Sequence, residues 1–290
     1  MTKPTVSKMN MKLHAFCLCA IALGAVSARA QTATTTTTTT TTPAPAAAAP
    51  AAPAAPTPPS LSIVFTPTYV NQYMFRGQRL GGNALEPTLE ADYGNWAIGV
   101  WSNIPLENVV PGQSNPEIDP YGSYTYSVND SLSIQPGFTL YTYAKAPTNQ
   151  GFYRMTFEPN LAVNYTVAGV KLTPKIYYDA VLRGPTYEFN AAYTIPLKDL
   201  NSEFDLAGTA GTYLLTDAAN QASPEVHAWG NYWLLGVSMP FTITKASKLT
   251  VGFAYTAGDG AYTKQGSFPK SVNTEAVGRG VVTVSYAWTF

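Results

Sequence analysis

The chain has 290 residues, with 17 basic and 17 acidic side chains, two histidines and two cysteines. Both cysteines (Cys17 and Cys19) and four of the cations lie in the first thirty residues, which read as an export signal. Without that segment 13 cations stand against 17 anions, a net charge of −4 with no basic stripe. Nucleic acid is therefore excluded as a partner, and disulfide or thiol chemistry is excluded from the exported chain.

The signal reading rests on Lys3, Lys8 and Lys12, an apolar run over 16–26, and the small-x-small pattern Ala28-Arg29-Ala30. The run is shorter than the ~20 apolar residues of a membrane-spanning helix. Phe16 before Cys17 and Leu18 before Cys19 do not fit a lipoprotein signal. Residues 31–60 are rich in Thr, Ala and Pro and lack the large apolar residues that repay ordering. They read as a disordered periplasmic tether, extended at ~3.1 Å per residue in its Pro/Ala half.

From residue 61 no helical period appears; apolar and polar side chains alternate instead. Twelve such segments are predicted, at 61–75, 84–93, 96–104, 117–128, 131–143, 152–166, 169–182, 186–196, 203–215, 227–239, 248–258 and 279–290. The segment 152–166 is the clearest. Tyr153, Met155, Phe157, Leu161, Val163 and Tyr165 share one face, opposite Arg154, Thr156, Glu158, Asn160 and Asn164. In 227–239 either parity turns some aromatic side chains inward. Long connections such as "GQRLGGNA" and the stretch before Gly278 alternate with tight ones such as "YGNW", "VND" and "VAG", with "RGPT" a short exception on the long side and "PLKDLNS" and "PFTITKAS" longer exceptions on the tight side. Sorting of loops by parity fits a closed antiparallel up-and-down transmembrane β-barrel of about twelve strands, an all-β fold over 61–290.

Aromatics support the same reading. Tyr93, Trp96, Tyr165, Tyr286, Trp288 and Phe290 fall near the tight-turn end of the apolar faces; Phe75, Tyr153 and Tyr187 fall near the long-loop end. Two aromatic belts are what two membrane–water interfaces select. The last segment, "VVTVSYAWTF", alternates up to its final residue. A barrel explains this, because its last strand must pair with its first or leave backbone groups unpaired in lipid. Tyr286, Trp288 and Phe290 also look like the terminal signal read by outer-membrane assembly machinery. The implied location is the outer membrane of a Gram-negative-type cell, with lipid around the wall.

The ordered series Tyr73-Met74-Phe75-Arg76-Gly77, Pro87, Gly99-Val100-Trp101-Ser102 and Glu117-Ile118-Asp119-Pro120-Tyr121 resembles the TorF-type porins of Gram-negative bacteria. The resemblance covers residues 61 to about 126; beyond that only the strand rhythm and the terminal aromatic continue it. It implies a pore without naming a solute.

Charges on the wet faces are the candidate pore lining. Glu86, Glu90, Asp92, Glu117 and Asp119 are expected inward on the second and fourth segments. Arg154 and Glu158 follow on the sixth, Lys171, Lys175, Asp179 and Arg183 on the seventh, and Glu188 on the eighth. Arg76 and Arg79 belong to the first outer loop, and Arg76 is expected to line the mouth of the pore. In a twelve-strand ring the acidic second segment stands opposite the basic seventh, so a field is expected across a water-filled lumen. The alternative is that these charges pair and help plug the barrel, Glu158 with Lys171 or Lys175 and Glu188 with Arg183.

Enzymatic motifs are thin. His227 is the one histidine after the signal, and no nucleophile elbow, metal-ligand spacing or phosphate loop occurs. Asp259-Gly260 is too little for a cation site. No cofactor, metal or catalysis is expected. The leading expectation is a passive or weakly selective channel for small hydrophilic solutes. A non-conducting structural or surface-interaction barrel stays open, as does a barrel hydrolase built on His227.

Overall fold

The computed structural model describes residues 59–107, 116–146, 153–200, 202–217, 226–259 and 278–290. The expected signal, all but the last two residues of the expected tether, and most of the long connections lie outside these residues. The side chains of His227 and Asp259 do too.

Alternating sequence here becomes strand after strand. In chain order they are β1 (Leu61–Thr66), β2 (Thr68–Val70), β3 (Tyr73–Phe75), β4 (Gln78–Gly81), β5 (Ala84–Leu85) and β6 (Thr88–Tyr93). β7 (Trp96–Pro105), β8 (Glu117–Tyr124), β9 (Tyr126–Asn129), β10 (Leu132–Thr142), β11 (Met155–Val167) and β12 (Val170–Asp179) follow. The series ends with β13 (Gly184–Leu197), β14 (Ser202–Asp217), β15 (Val226–Thr244), β16 (Ser247–Asp259) and β17 (Arg279–Thr289). Fifteen of these make one antiparallel sheet, and β3 with β4 makes a second.

The fifteen form twelve staves, because β1/β2, β5/β6 and β8/β9 are each one stave with a break. Pro67 and Pro87 explain two breaks, since proline gives the ladder no N–H. Their carbonyls keep the wall continuous: Tyr286 N–H donates to Pro67 O at 3.1 Å and Ser102 N–H to Pro87 O at 3.1 Å.

The wall closes. Phe65 pairs with Trp288 and Val64 with Thr289, while Thr68, Tyr69 and Val70 pair with Ser285, Val284 and Thr283. Phe290 N–H donates to Ile63 O at 2.8 Å, so the last residue still bonds the first stave. The Phe65 and Trp288 rings stack across this seam at 6.2 Å.

Burial is inverted relative to a water-soluble sheet. Ile98 is 59% exposed on the outside, whereas inward Thr209 is 0% exposed and inward Glu117 2% exposed. An apolar exterior around a polar interior needs lipid as its outer solvent, and closure is what lets β-structure cross it. The chain is an outer-membrane β-barrel. β15 settles the ambiguous parity: Tyr232 and Leu234 are buried inward, and Trp229, Trp233, Leu235 and Val237 face out. Tyr93, Trp96, Tyr165, Trp288 and Phe290 are exposed around the tight-turn end, joined there by Tyr126 and Tyr193. Turns at that end use left-handed backbone, as at Gly94 (φ 60°) and at Ala168–Gly169 (φ 50° and 80°).

Candidate functional site

Residues 71–75 were expected to continue the first stave, with a loop after them. Instead the chain leaves the wall after Val70. Asn71 ends the ladder by using both its backbone and its side chain: its N–H donates to Val282 O at 3.2 Å, and Val282 N–H donates to its Oδ1 at 2.7 Å. The next residues form the β3–β4 hairpin, paired Tyr73 with Gly81, Met74 with Arg79 and Phe75 with Gln78. Phe75 therefore leaves the expected outer belt; its ring meets Tyr141 edge-on at 5.8 Å inside the barrel.

The hairpin tip is a two-residue turn with Arg76 at φ 47° and Gly77 at φ 73°, the left-handed pair that matches strand twist. Glycine is required at 77 on two counts. Its φ is positive, and a Cβ there would lie 2.8 Å from the Ala257 carbonyl and Gly258 Cα. The tip thus abuts β16.

Polar side chains fasten the hairpin to staves far around the ring. Tyr73 Oη donates to Glu117 Oε2 on β8 at 2.8 Å. Arg76 Nη2 donates to Glu158 Oε1 and Oε2 on β11, both at 2.8 Å. Gln78 Nε2 donates to Tyr213 Oη on β14. A segment that leaves the wall at β2 and reaches β8, β11, β14 and β16 crosses the lumen.

Around it the wall carries carboxylates held by hydroxyls. Tyr141 Oη donates to Glu158 Oε1 at 3.1 Å. Glu188 accepts from Tyr177 Oη at 3.0 Å, Asn190 Nδ2 at 2.9 Å and Tyr232 Oη at 2.6 Å. Glu90 accepts from Tyr121 Oη at 2.7 Å, and Glu86 from Asn103 Nδ2 at 3.2 Å. Two of these rings, and that of Tyr213, lie over a glycine directly opposite on the next stave. Tyr121 faces Gly99, Tyr232 faces Gly211, and Tyr213 faces Gly230. A Cβ at Gly211 would sit 2.2 Å from the Tyr232 ring, so only glycine leaves room for it.

The expected lining residues separate into groups. Glu86, Glu117 and Asp119 are buried together on the side where Tyr73 docks, and Asp119 Oδ1 also accepts from Thr142 N–H at 3.1 Å. Arg76 joins Glu158 in the sole ion pair found among the described residues. Lys175 lies over the Tyr177 ring at 4.5 Å and opposite Glu188 in the ladder. Glu90, Asp92 and Lys171 are half-buried along the wall. Asp179 serves the fold: its Oδ1 accepts from Val181 N–H at 2.9 Å and Leu182 N–H at 2.8 Å, capping the turn into β13. β12 ends at Asp179, so Arg183 is exposed in that turn (φ 55°) rather than on the strand, and Arg154 is exposed just before β11. The expected partners of Glu158 and Glu188 are likewise replaced, by Arg76 and by tyrosine hydroxyls.

Tyr73, Gln78, Tyr177 and Tyr232 were not anticipated as part of the site. In 131–143 the sequence puts Tyr141 on the polar face, alternate with Phe138 and Leu140, and that is the visible signal for this tyrosine set.

No family model matches the chain, and no curated protein does. Among solved structures it is similar to the KdgM porin, at 12% identity over 79% of this chain and 99% of that one, with a TM-score of 0.46. It is similar to the NanC porin at 13% identity, over 78% and 98% of the two chains, TM-score 0.46. It also resembles the COG4313 outer membrane channel of Pseudomonas putida F1, at 12% identity over 82% and 97%, TM-score 0.39. These three are two porins and an outer-membrane channel. At such identities the likeness extends to a barrel and not to its contents.

Proposed function

We propose that the protein is a porin-like channel that passes small hydrophilic solutes across the outer membrane. The observation that carries this is the lumen itself: a closed apolar wall lined inside by Glu, Lys, Tyr, Asn and Thr rather than by a packed apolar core. The charge pattern favours weak cation preference. One arc bears Glu86, Glu90, Glu117 and Asp119; on the other, Lys175 stands among Glu158 and Glu188, and Arg76 is already neutralised. Dielectric walls focus such a field on a passing ion.

Membership of the TorF-type porins belongs to the same proposal, and the positions of the motif residues support it. Tyr73 of the first block bonds Glu117 of the last at 2.8 Å, and its ring lies 5.8 Å from Trp101 of the middle one. Ser102 Oγ donates to Glu117 O at 2.7 Å. The ordered motif is thus one docking site for the hairpin. Cleavage after Ala30, a 31–60 tether, and delivery by the assembly machinery through Tyr286, Trp288 and Phe290 complete the proposal. No catalytic step is part of it.

Reconstitution of the refolded chain into planar bilayers tests this. Discrete conductance steps with a reversal potential displaced toward cation selectivity in a KCl gradient are expected; a bilayer that stays silent overturns the channel. The second reading, a non-conducting barrel, is favoured by one observation, the hairpin lying across the lumen.

A further inference from the structure

Arg76 is offered to the wall under strain. Non-glycine residues rarely hold a left-handed backbone, and bulky ones least. Yet Arg76 does so at φ 47°, and the side chain so aimed enters a ready cation site. Glu158, only 1% exposed, meets one guanidinium nitrogen with both oxygens at 2.8 Å. Tyr141 Oη orients that carboxylate. The guanidinium carbon lies 5.3 Å from the Tyr177 ring centre and 4.7 Å from that of Phe75, within cation–π range.

Three of these four partners stay on the wall whatever the hairpin does: Tyr141 on β10, Glu158 on β11 and Tyr177 on β12. Only Phe75 travels with Arg76. The hairpin strands pair with each other and with no other described strand. Side chains therefore dock the hairpin, and a competitor for one side-chain site loosens the whole element.

We propose that Glu158, Tyr141 and Tyr177 form a binding site for a small guanidinium-bearing solute, and that Arg76 is its tethered occupant. A free solute of the same chemistry displaces Arg76, lets the hairpin withdraw, and widens the lumen. Planar guanidinium matches a carboxylate with two accepting oxygens and stacks on tyrosine faces, which a strongly hydrated ammonium does less well. A tethered group competes at an effective concentration on the order of millimolar, so free solute acts on the wild type only at or above that level. The gating half rests on the channel reading; the site itself does not.

The probe is L-argininamide, titrated calorimetrically into the full chain folded in detergent, with urea as neutral analogue and NaCl at equal ionic strength. Arg76→Ala vacates the site and is expected to bind argininamide at least ~10-fold more tightly than wild type. Adding Glu158→Gln to Arg76→Ala should abolish that binding. Should the double variant fail to fold, Arg76→Ala/Tyr177→Leu, which keeps the carboxylate, should weaken it severalfold. Equal affinity in wild type and Arg76→Ala overturns the proposal, as does binding that neither second substitution reduces. In bilayers, argininamide should raise wild-type conductance and leave Arg76→Ala without a further rise. The expected binding pattern in a barrel that never conducts keeps the site and removes the channel; conduction without that pattern does the reverse.

Discussion

The first and last thirds of the wall are built differently. From β1 to β6 the staves are short and broken, with strands of six, three, two and six residues in the wall. From β13 to β15 they run unbroken for 14, 16 and 19 residues. The long staves give the barrel a continuous ladder, and their inward tyrosines lie over facing glycines. The broken sector gives up ladder bonds at Pro67 and Pro87 and releases 72–82 into the lumen. The long ladder is concentrated on one side, and the hairpin that crosses the lumen hangs from the other.

The largest way to break this contrast is to shorten the hairpin, joining Asn71 to Asn83 through a brief Gly/Ser turn. Single-channel conductance should rise severalfold, because the occupied cross-section opens while the long staves keep the barrel closed. A comparable loop graft between β14 and β15 should leave conductance near its starting value.

Next comes the latch. Arg76→Ala and Glu158→Gln each strand one buried partner, for which about 3–5 kcal/mol is typical of a fully buried pair. Withdrawal of the hairpin into water lowers that cost. The double variant should be less destabilised than the sum of the singles, with a coupling of ~1–3 kcal/mol in a urea-unfolding cycle. Gly77→Ala should cost ~1–2 kcal/mol from its positive φ alone, and its added methyl also meets the β16 backbone. Its conductance should shift toward that of the shortened hairpin. The smallest effect belongs to the long-ladder side: Tyr232→Phe removes one of several donors to Glu188 and should cost ~1 kcal/mol with little change in current.

Legibility did not follow that contrast, since the facing of 227–239, inside the longest stave, was ambiguous. Alternation in 152–166 and 279–290 marks which side chains face lipid, because a strand's period of two is set locally. Closure followed from the strictness of the last ten residues. The hairpin was not legible, since Tyr73, Met74 and Phe75 keep the strand alternation whether they pair with the wall or with Gln78–Gly81. The one local clue was Gly77, which suits the second position of a left-handed turn. The partner of Glu158 lay 82 residues away, across a distance that no periodicity reports. Arg183 was misplaced because Asp179 caps a turn, a job that its acidic side chain does not distinguish from lining a pore.

The most direct test is whether solute passes through the lumen beyond the hairpin. Lys171→Cys puts a thiol on the inner wall, and the chain past residue 30 has no other cysteine. Bilayer current through this variant should fall in a discrete step when a charged, membrane-impermeant thiol reagent is added, while Leu235→Cys on the lipid face should not respond. Current unchanged at both positions, or reduced equally at both, would contradict the account.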